Sequence, residues 1–178
     1  MFGKLKQAFQ KRADRNRAHR DLLRAITDHD LAGVKEISAN RDLVNLDSYP
    51  YLAKAVDHGT PKILAALLEN GADPNVWSQG IRTRLVVPPI AEAIVQGKPE
   101  MVAVLLADPR IESPDKVHVW SDPDRLLTAS AATLLGFAKN RGNQECVELL
   151  EKHMLEKYKN KYESGNPAPP KKPSEPRR

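Results

Sequence analysis

The chain has 178 residues, 40% hydrophobic and 5% aromatic, and its 28 Lys or Arg against 23 Asp or Glu give a formal net charge of +5. That length suits one domain of roughly 135 residues with tails, large enough to bury a core. The single cysteine, Cys146, excludes an intrachain disulfide framework. The longest uncharged stretch, Leu126 to Ala138, is too short to span a bilayer, and no apolar secretory core opens the chain, so a soluble cytoplasmic protein is expected.

Residues 1–20 form a basic segment of net charge +6. Phe2, Leu5 and Phe9 fall on one helical face with lysine and arginine around them. That pattern suits either an anionic membrane surface or a cap in which the three apolar side chains cover the next element. A mitochondrial transit peptide is disfavoured by the absence of serine.

From residue 21 a two-helix unit recurs. Leu22-Leu23-Arg24-Ala25-Ile26 passes through His29-Asp30 into Gly33-Val34-Lys35-Glu36-Ile37. Ala53-Lys54-Ala55-Val56-Asp57-His58-Gly59-Thr60-Pro61 then leads into Ile63-Leu64 and Leu67-Leu68, and closes on Gly71-Ala72-Asp73-Pro74-Asn75. Ala91-Glu92-Ala93-Ile94-Val95-Gln96-Gly97-Lys98-Pro99 repeats the pattern ahead of Met101-Val102 and Leu105-Leu106. The last copy runs from Leu134-Leu135-Gly136-Phe137-Ala138 through Gly142-Asn143 into Cys146-Val147 and Leu149-Leu150. Each first helix is expected to end on a left-handed residue, glycine at 59, 97 and 142 with His29 in that place in the first copy. Proline then opens the second helix in the middle two copies, where its missing donor costs nothing. Paired aliphatics at helical spacing give the second helix one buried stripe.

The Gly-Ala-Asp-x-Asn exit and the two-helix unit resemble the ankyrin repeat family over roughly residues 21–156. The resemblance implies an all-α fold, an ankyrin-type helix-turn-helix solenoid with extended inter-repeat loops and flexible basic tails. Approximate repeats are 21–47, 48–87, 88–130 and 131–156. Equivalent alanines, Ala25, Ala55, Ala93 and Ala138, lie 30, 38 and 45 residues apart, against a family period of about 33. The connections therefore vary while the helix pairs persist. The family's Thr-Pro-Leu-His turn has lost its histidine to Ala53, Ala91 and Leu135, so the hydrogen-bond network that histidine supports is expected to be absent.

Two long connections are expected to form fingers. Residues 76–87 alternate as a hairpin turning near Gln79-Gly80, and residues 115–124 alternate before a second turn. Each carries one of the chain's two tryptophans. Trp77, Arg82, Arg84 and Trp120 are the first candidates for partner binding, because Trp and Arg are enriched at interface hot spots; the alternative is that the indoles pack as a local core. Charged and polar residues on the first helices, Arg24, Asp28, Lys54, Asp57, Glu92, Gln96, Lys139 and Arg141, would face the concave groove of an ankyrin stack, as contacts or as a solvated face. Lys54, Asp57, Glu92 and Gln96 complete the candidate surface.

Residues 157–178 have net charge +5 and form a disordered Pro/Lys-rich tail in this reading. Pro167 to Lys172 and Pro173 to Arg178 each match a Pro-x-x-Pro-x-basic ligand of SH3-like grooves, or form part of a solvated tail. The body between the tails carries −6.

No catalytic constellation emerges. His19, His29, His58, His118 and His153 are scattered without metal spacing to Cys146, glycines fall singly at helix stops, and the acids Asp28, Asp30, Asp122 and Asp124 sit at turns. The expectation is a non-enzymatic protein-protein interaction adaptor, with no cofactor, no small-molecule substrate and no nucleic acid, whose partner docks on the groove and fingers. The alternative is a peripheral scaffold or targeting protein held by its basic tails to an anionic membrane surface or an SH3-like partner.

Overall fold

The computed structural model describes residues 2–79, 86–114, 116–120 and 131–163, side chains excepted at 2–5, 8, 118–120, 131–132 and 160–163. The described residues are predominantly helical: α1 (Phe2–Thr27), α2 (Leu31–Ala39), α3 (Tyr51–His58), α4 (Pro61–Glu69), α5 (Pro89–Val95), α6 (Pro99–Ala107), α7 (Leu134–Arg141) and α8 (Gln144–Glu163). Two small antiparallel hairpins join them, β1 (Ser78–Gln79) with β2 (Val86–Val87) and β3 (His118–Trp120) with β4 (Ala131–Thr133).

The helices form four antiparallel pairs in sequence order, α1 with α2 through α7 with α8. The first helices touch in the order α1, α3, α5, α7 and the second in the order α2, α4, α6, α8, giving two layers. One continuous core lies between the layers. The expected stripes fill it: Ile63, Leu64 and Leu67 of α4, Met101, Val102 and Leu105 of α6, and Cys146, Val147 and Leu150 of α8 are buried. Ala25, Ala55, Ala93 and Ala138 are buried opposite them, where a larger side chain would push the layers apart.

The helix stops are local chemistry. His29, Gly97 and Gly142 are left-handed, with φ of 59°, 62° and 71°. After each, the next amide donates back to the equivalent alanine carbonyl: Asp30 to Ala25, Lys98 to Ala93 and Asn143 to Ala138. This is the closure that a left-handed residue makes possible. Gly59 departs from expectation. Its φ is −86°, because its own amide reaches the Ala55 carbonyl at 2.8 Å, one residue sooner, and the chain leaves extended. Glycine is needed at 59 for space: a Cβ there would lie 2.7 Å from the Ala55 carbonyl oxygen. Thr60 then caps α4 through a bond from the Ile63 amide, with Pro61 at the first helical position.

Two expected boundaries fall inside helices. Helix α1 crosses 20/21 because charged residues, Ala, Gln and Leu run without proline from Phe2 to Thr27, and α8 crosses 156/157 up to Glu163 for the same reason. The basic N-terminal segment, residues 2–20, is thus the greater part of α1. In the first hairpin Gln79 pairs with Val86, and the turn expected near Gln79-Gly80 lies outside the described residues.

The two glycine stops separate by mutation. Asn, which tolerates left-handed backbone, is expected to cost little at Gly97, whereas Gly97→Val costs more than about 1 kcal/mol. At Gly59 both Asn and Val lower stability, since any Cβ overlaps the Ala55 carbonyl. Thermal melts of the four variants check this.

Candidate functional site

Two of the four groove candidates turn inward. Asp57 and Glu92 are buried. Helix α5 lies against α3, α6 and α7, and continuous burial from Val87 to Ile94 means its remaining side is covered as well. Carboxylates survive such burial only when engaged. Asp57 Oδ2 meets His58 Nε2 at 2.8 Å, and Glu92 Oε1 accepts from Gln96 Nε2 at 3.0 Å. These acids therefore serve the fold. Lys54 and Gln96 are half-buried, while Arg24, Asp28, Lys139 and Arg141 are exposed. Arg24 pairs with Asp28 at 3.2 Å and Lys139 with Glu151 at 2.9 Å, pairs that contribute little at the surface.

The first finger carries the exposed apolar surface. Ser78 pairs with Val87 and Gln79 with Val86, so alternation places Gln79, Val86 and the preceding Trp77 on one side. Burial follows this pattern: Val87 is buried, whereas Trp77 is 48% and Val86 61% exposed. Arg82 and Arg84 lie outside the described residues, as does the side chain of Trp120, although its backbone pairs with Ala131 in the second finger. The sequence candidates are thus only partly brought together, with Trp77 at the outer edge and Asp57 and Glu92 within the body.

At the N-terminal end Phe9 is 66% exposed, and residues 10–13 are exposed with it. A cap that buries Phe9 on the first repeat is therefore corrected. Residues 2–20 are instead part of one helix that continues to Thr27.

Neighbouring helix pairs are joined by hydrogen bonds from side chains that the sequence analysis placed, where it named them, only at helix stops and exits. His29 Nε2 donates to the His58 carbonyl at 2.7 Å. Lys98 Nζ donates to the Val56 and Asp57 carbonyls at 2.6 and 2.8 Å, and Asn143 Nδ2 donates to the Ile94 carbonyl. On the finger side, Arg41 reaches the Asn70 and Gly71 carbonyls, and Asn75 bridges the Arg110 carbonyl and the Glu112 amide at 2.8 Å each. Arg110 in turn donates to the Leu68 carbonyl at 2.9 Å and pairs with Asp108 at 2.6 Å. That hydrogen bond holds the Asp108 carboxyl below and the Arg110 guanidinium above their ordinary values. Burial raises the Cys146 thiol, consistent with a small core hydrophobe rather than a nucleophile.

A second surface was missed because tyrosines drew no attention in the sequence. Tyr51, buried at the start of α3, shares a 2.5 Å hydrogen bond with His19 Nδ1 of α1. Tyr49 sets its ring edge-on to His19, centroids 4.5 Å apart, and lies 5.2 Å from Tyr51. Beside these rings opens a hollow of about 680 Å³ with Arg15, Arg41 and Asp42 on its walls. Spacing of an aromatic pair two residues apart, in the shortest inter-repeat connection, was the only signal. Among the described residues no cluster of His, Cys, Asp and Glu could hold a metal ion, and no helix is long and apolar enough to cross a membrane.

Burial, followed by proximity to Tyr49, pushes the Tyr51 phenol up to about 12. The neutral form is favoured in the folded state, so the stability linked to it is full below pH about 10 and lost as pH rises through about 12. Spectrophotometric titration should show Tyr51 ionising near pH 12. Its ionisation should coincide with loss of helical signal, and Tyr51→Phe should remove that late step.

Compared with known proteins, the chain matches no protein-family model and no curated sequence.

Proposed function

We propose that the chain is an ankyrin-type repeat module that binds a protein partner, and that the exposed side of its first finger is the primary contact. The reading is supported by four helix pairs in two layers, by left-handed stops at equivalent places, and by the Gly71-Ala72-Asp73-Pro74-Asn75 exit, in which Ala72 returns a bond to Leu67. Repeat stacks of this kind offer extended surfaces for binding.

The single observation that carries the contact is Trp77 beside Val86 on one solvent-facing side of a two-stranded finger. An indole and a branched aliphatic exposed together form an apolar patch, and such patches on stable proteins mark contact surfaces. A tryptophan at the centre of an interface acts as an anchor. Lys54 and Gln96, half-buried on the first helices, supply polar groups at the margin. Asp57 and Glu92 support the first helices from within and make no direct contact in this reading.

The test begins with capturing the partner on the full chain and measuring its affinity. Trp77→Ala is expected to weaken binding by about 2 kcal/mol, with melting and helicity unchanged. Val86→Asp should do the same by placing a charge in the apolar contact. Unchanged affinity in both variants removes the finger from the interface. A large drop in melting temperature for Trp77→Ala assigns the indole to the core.

A further inference from the structure

The four repeats are joined by three connections, and only the first lacks a hairpin. Residues 40–50 pass from α2 to α3 in turns, consistent with the 30-residue step from Ala25 to Ala55, the shortest of the three. Where a finger would stand, the chain bends over α1 and leaves the 680 Å³ hollow. That size is within the range of pockets that hold small ligands or peptide side chains.

Its walls are of two kinds. One is aromatic and fixed: Tyr51 is buried and bonded to His19, and Tyr49 leans on both rings. The other is cationic. Arg15 donates through Nε to the Asp42 carbonyl at 3.2 Å, which fixes the guanidinium plane while its two Nη groups make no hydrogen bond among the described residues. Arg41 is held from behind by the Asn70 and Gly71 carbonyls. Those carbonyls occupy donors without cancelling charge. Asp42 is the one acid among the residues lining the hollow, which also include Arg15 and Arg41.

The charge continues along α1. Lys11 and Arg12, one turn before Arg15 on the same side of the helix, are exposed and form no ion pair among the described residues, whereas Arg17 lines a separate hollow with Asp14, Asp21 and Glu36 and Arg24 is paired with Asp28. Two unpaired cations one turn before the Arg15 fork are complementary to carboxylates spaced along a chain.

We propose that this hollow and the adjoining face of α1 bind an acidic peptide segment of a partner protein. One Glu or Asp carboxylate enters the hollow and takes both Nη groups of Arg15, with its stem or an adjacent ring against Tyr49. Neighbouring acids lie along Lys11 and Arg12. Concavity favours a peptide over a bilayer, since a flat surface cannot enter the hollow. Asp42 and the −6 body disfavour a continuous phosphate backbone. The site is independent of the first finger.

The test measures fluorescence anisotropy of a fluorescein-labelled peptide of Glu residues around one Tyr, titrated with the full chain at low salt. Saturable binding is expected, lost when Gln replaces Glu in the peptide. Arg15→Gln should weaken binding about tenfold. Arg24→Gln, which removes the same charge from the same helix outside the hollow, should change it less than about twofold. Tyr49→Phe, which keeps the ring, should stay close to wild type, and Tyr49→Ala should weaken binding; this pair reads the aromatic wall even if Arg15→Gln fails to fold. Trp77→Ala should leave the peptide affinity untouched, and a loss there would move the site to the finger and overturn the proposal. Equal losses for Arg15→Gln and Arg24→Gln would reduce the effect to net charge and also overturn it. So would absence of saturable binding, or tighter binding of phosphatidylserine vesicles or of a single-stranded oligonucleotide of matching charge.

Discussion

Every short helix in this protein ends with carbonyls that no residue of its own can satisfy, and the rest of the structure follows from how they are satisfied. Helices α3 and α5 have eight and seven residues, so the last-turn carbonyls are a large share of their backbone. Local closure onto Ala25, Ala55, Ala93 and Ala138 satisfies some of them. The remainder are met by the neighbouring repeat: His29 to His58, Lys98 to Val56 and Asp57, Asn143 to Ile94. A helix of this length is marginal alone in water. Its neighbour therefore supplies both an apolar surface and hydrogen-bond donors.

That dependence accounts for where polar residues are found. Asp57 and Glu92 look like groove residues in a helical projection, because each interrupts an apolar run. In three dimensions the first helices of the middle repeats are enclosed, and an acid at such a position becomes part of the interior hydrogen bonding. The exposed apolar and cationic surface lies outward, on the first finger and along the N-terminal part of α1.

Much of the fold was legible in the sequence because it rests on short-range rules. Aliphatic pairs at helical spacing, prolines at helix starts and the alanine positions each specify a contact that is repeated from unit to unit, and His29 standing for glycine was readable from alignment of the copies. Gly59 was not, since whether a glycine provides positive φ or merely room depends on which amide closes the helix. The boundaries at 20/21 and 156/157 were placed on charge, and charge does not stop a helix; α1 and α8 pass through both. Of the candidate site, Trp77 is exposed, one of the two placements its sequence left open. The hollow by Tyr49 and Tyr51 was invisible because it arises from a connection that is too short, and an absent hairpin leaves no motif to read.

Different side chains bridge each junction between neighbouring helix pairs. The first junction is crossed by His29, Arg41, Asn70 and Asp47, which accepts from the Asp73 amide. Lys98, Asn75 and Arg110 cross the second. Among the described residues the third is crossed by Asn143 and by Lys157, whose bond to the Ile111 carbonyl is 3.4 Å long. Each of these bridges joins adjacent pairs only, so local damage at one junction, such as loss of the Lys98 bonds to the Val56 and Asp57 carbonyls, leaves the bonds at the other two in place.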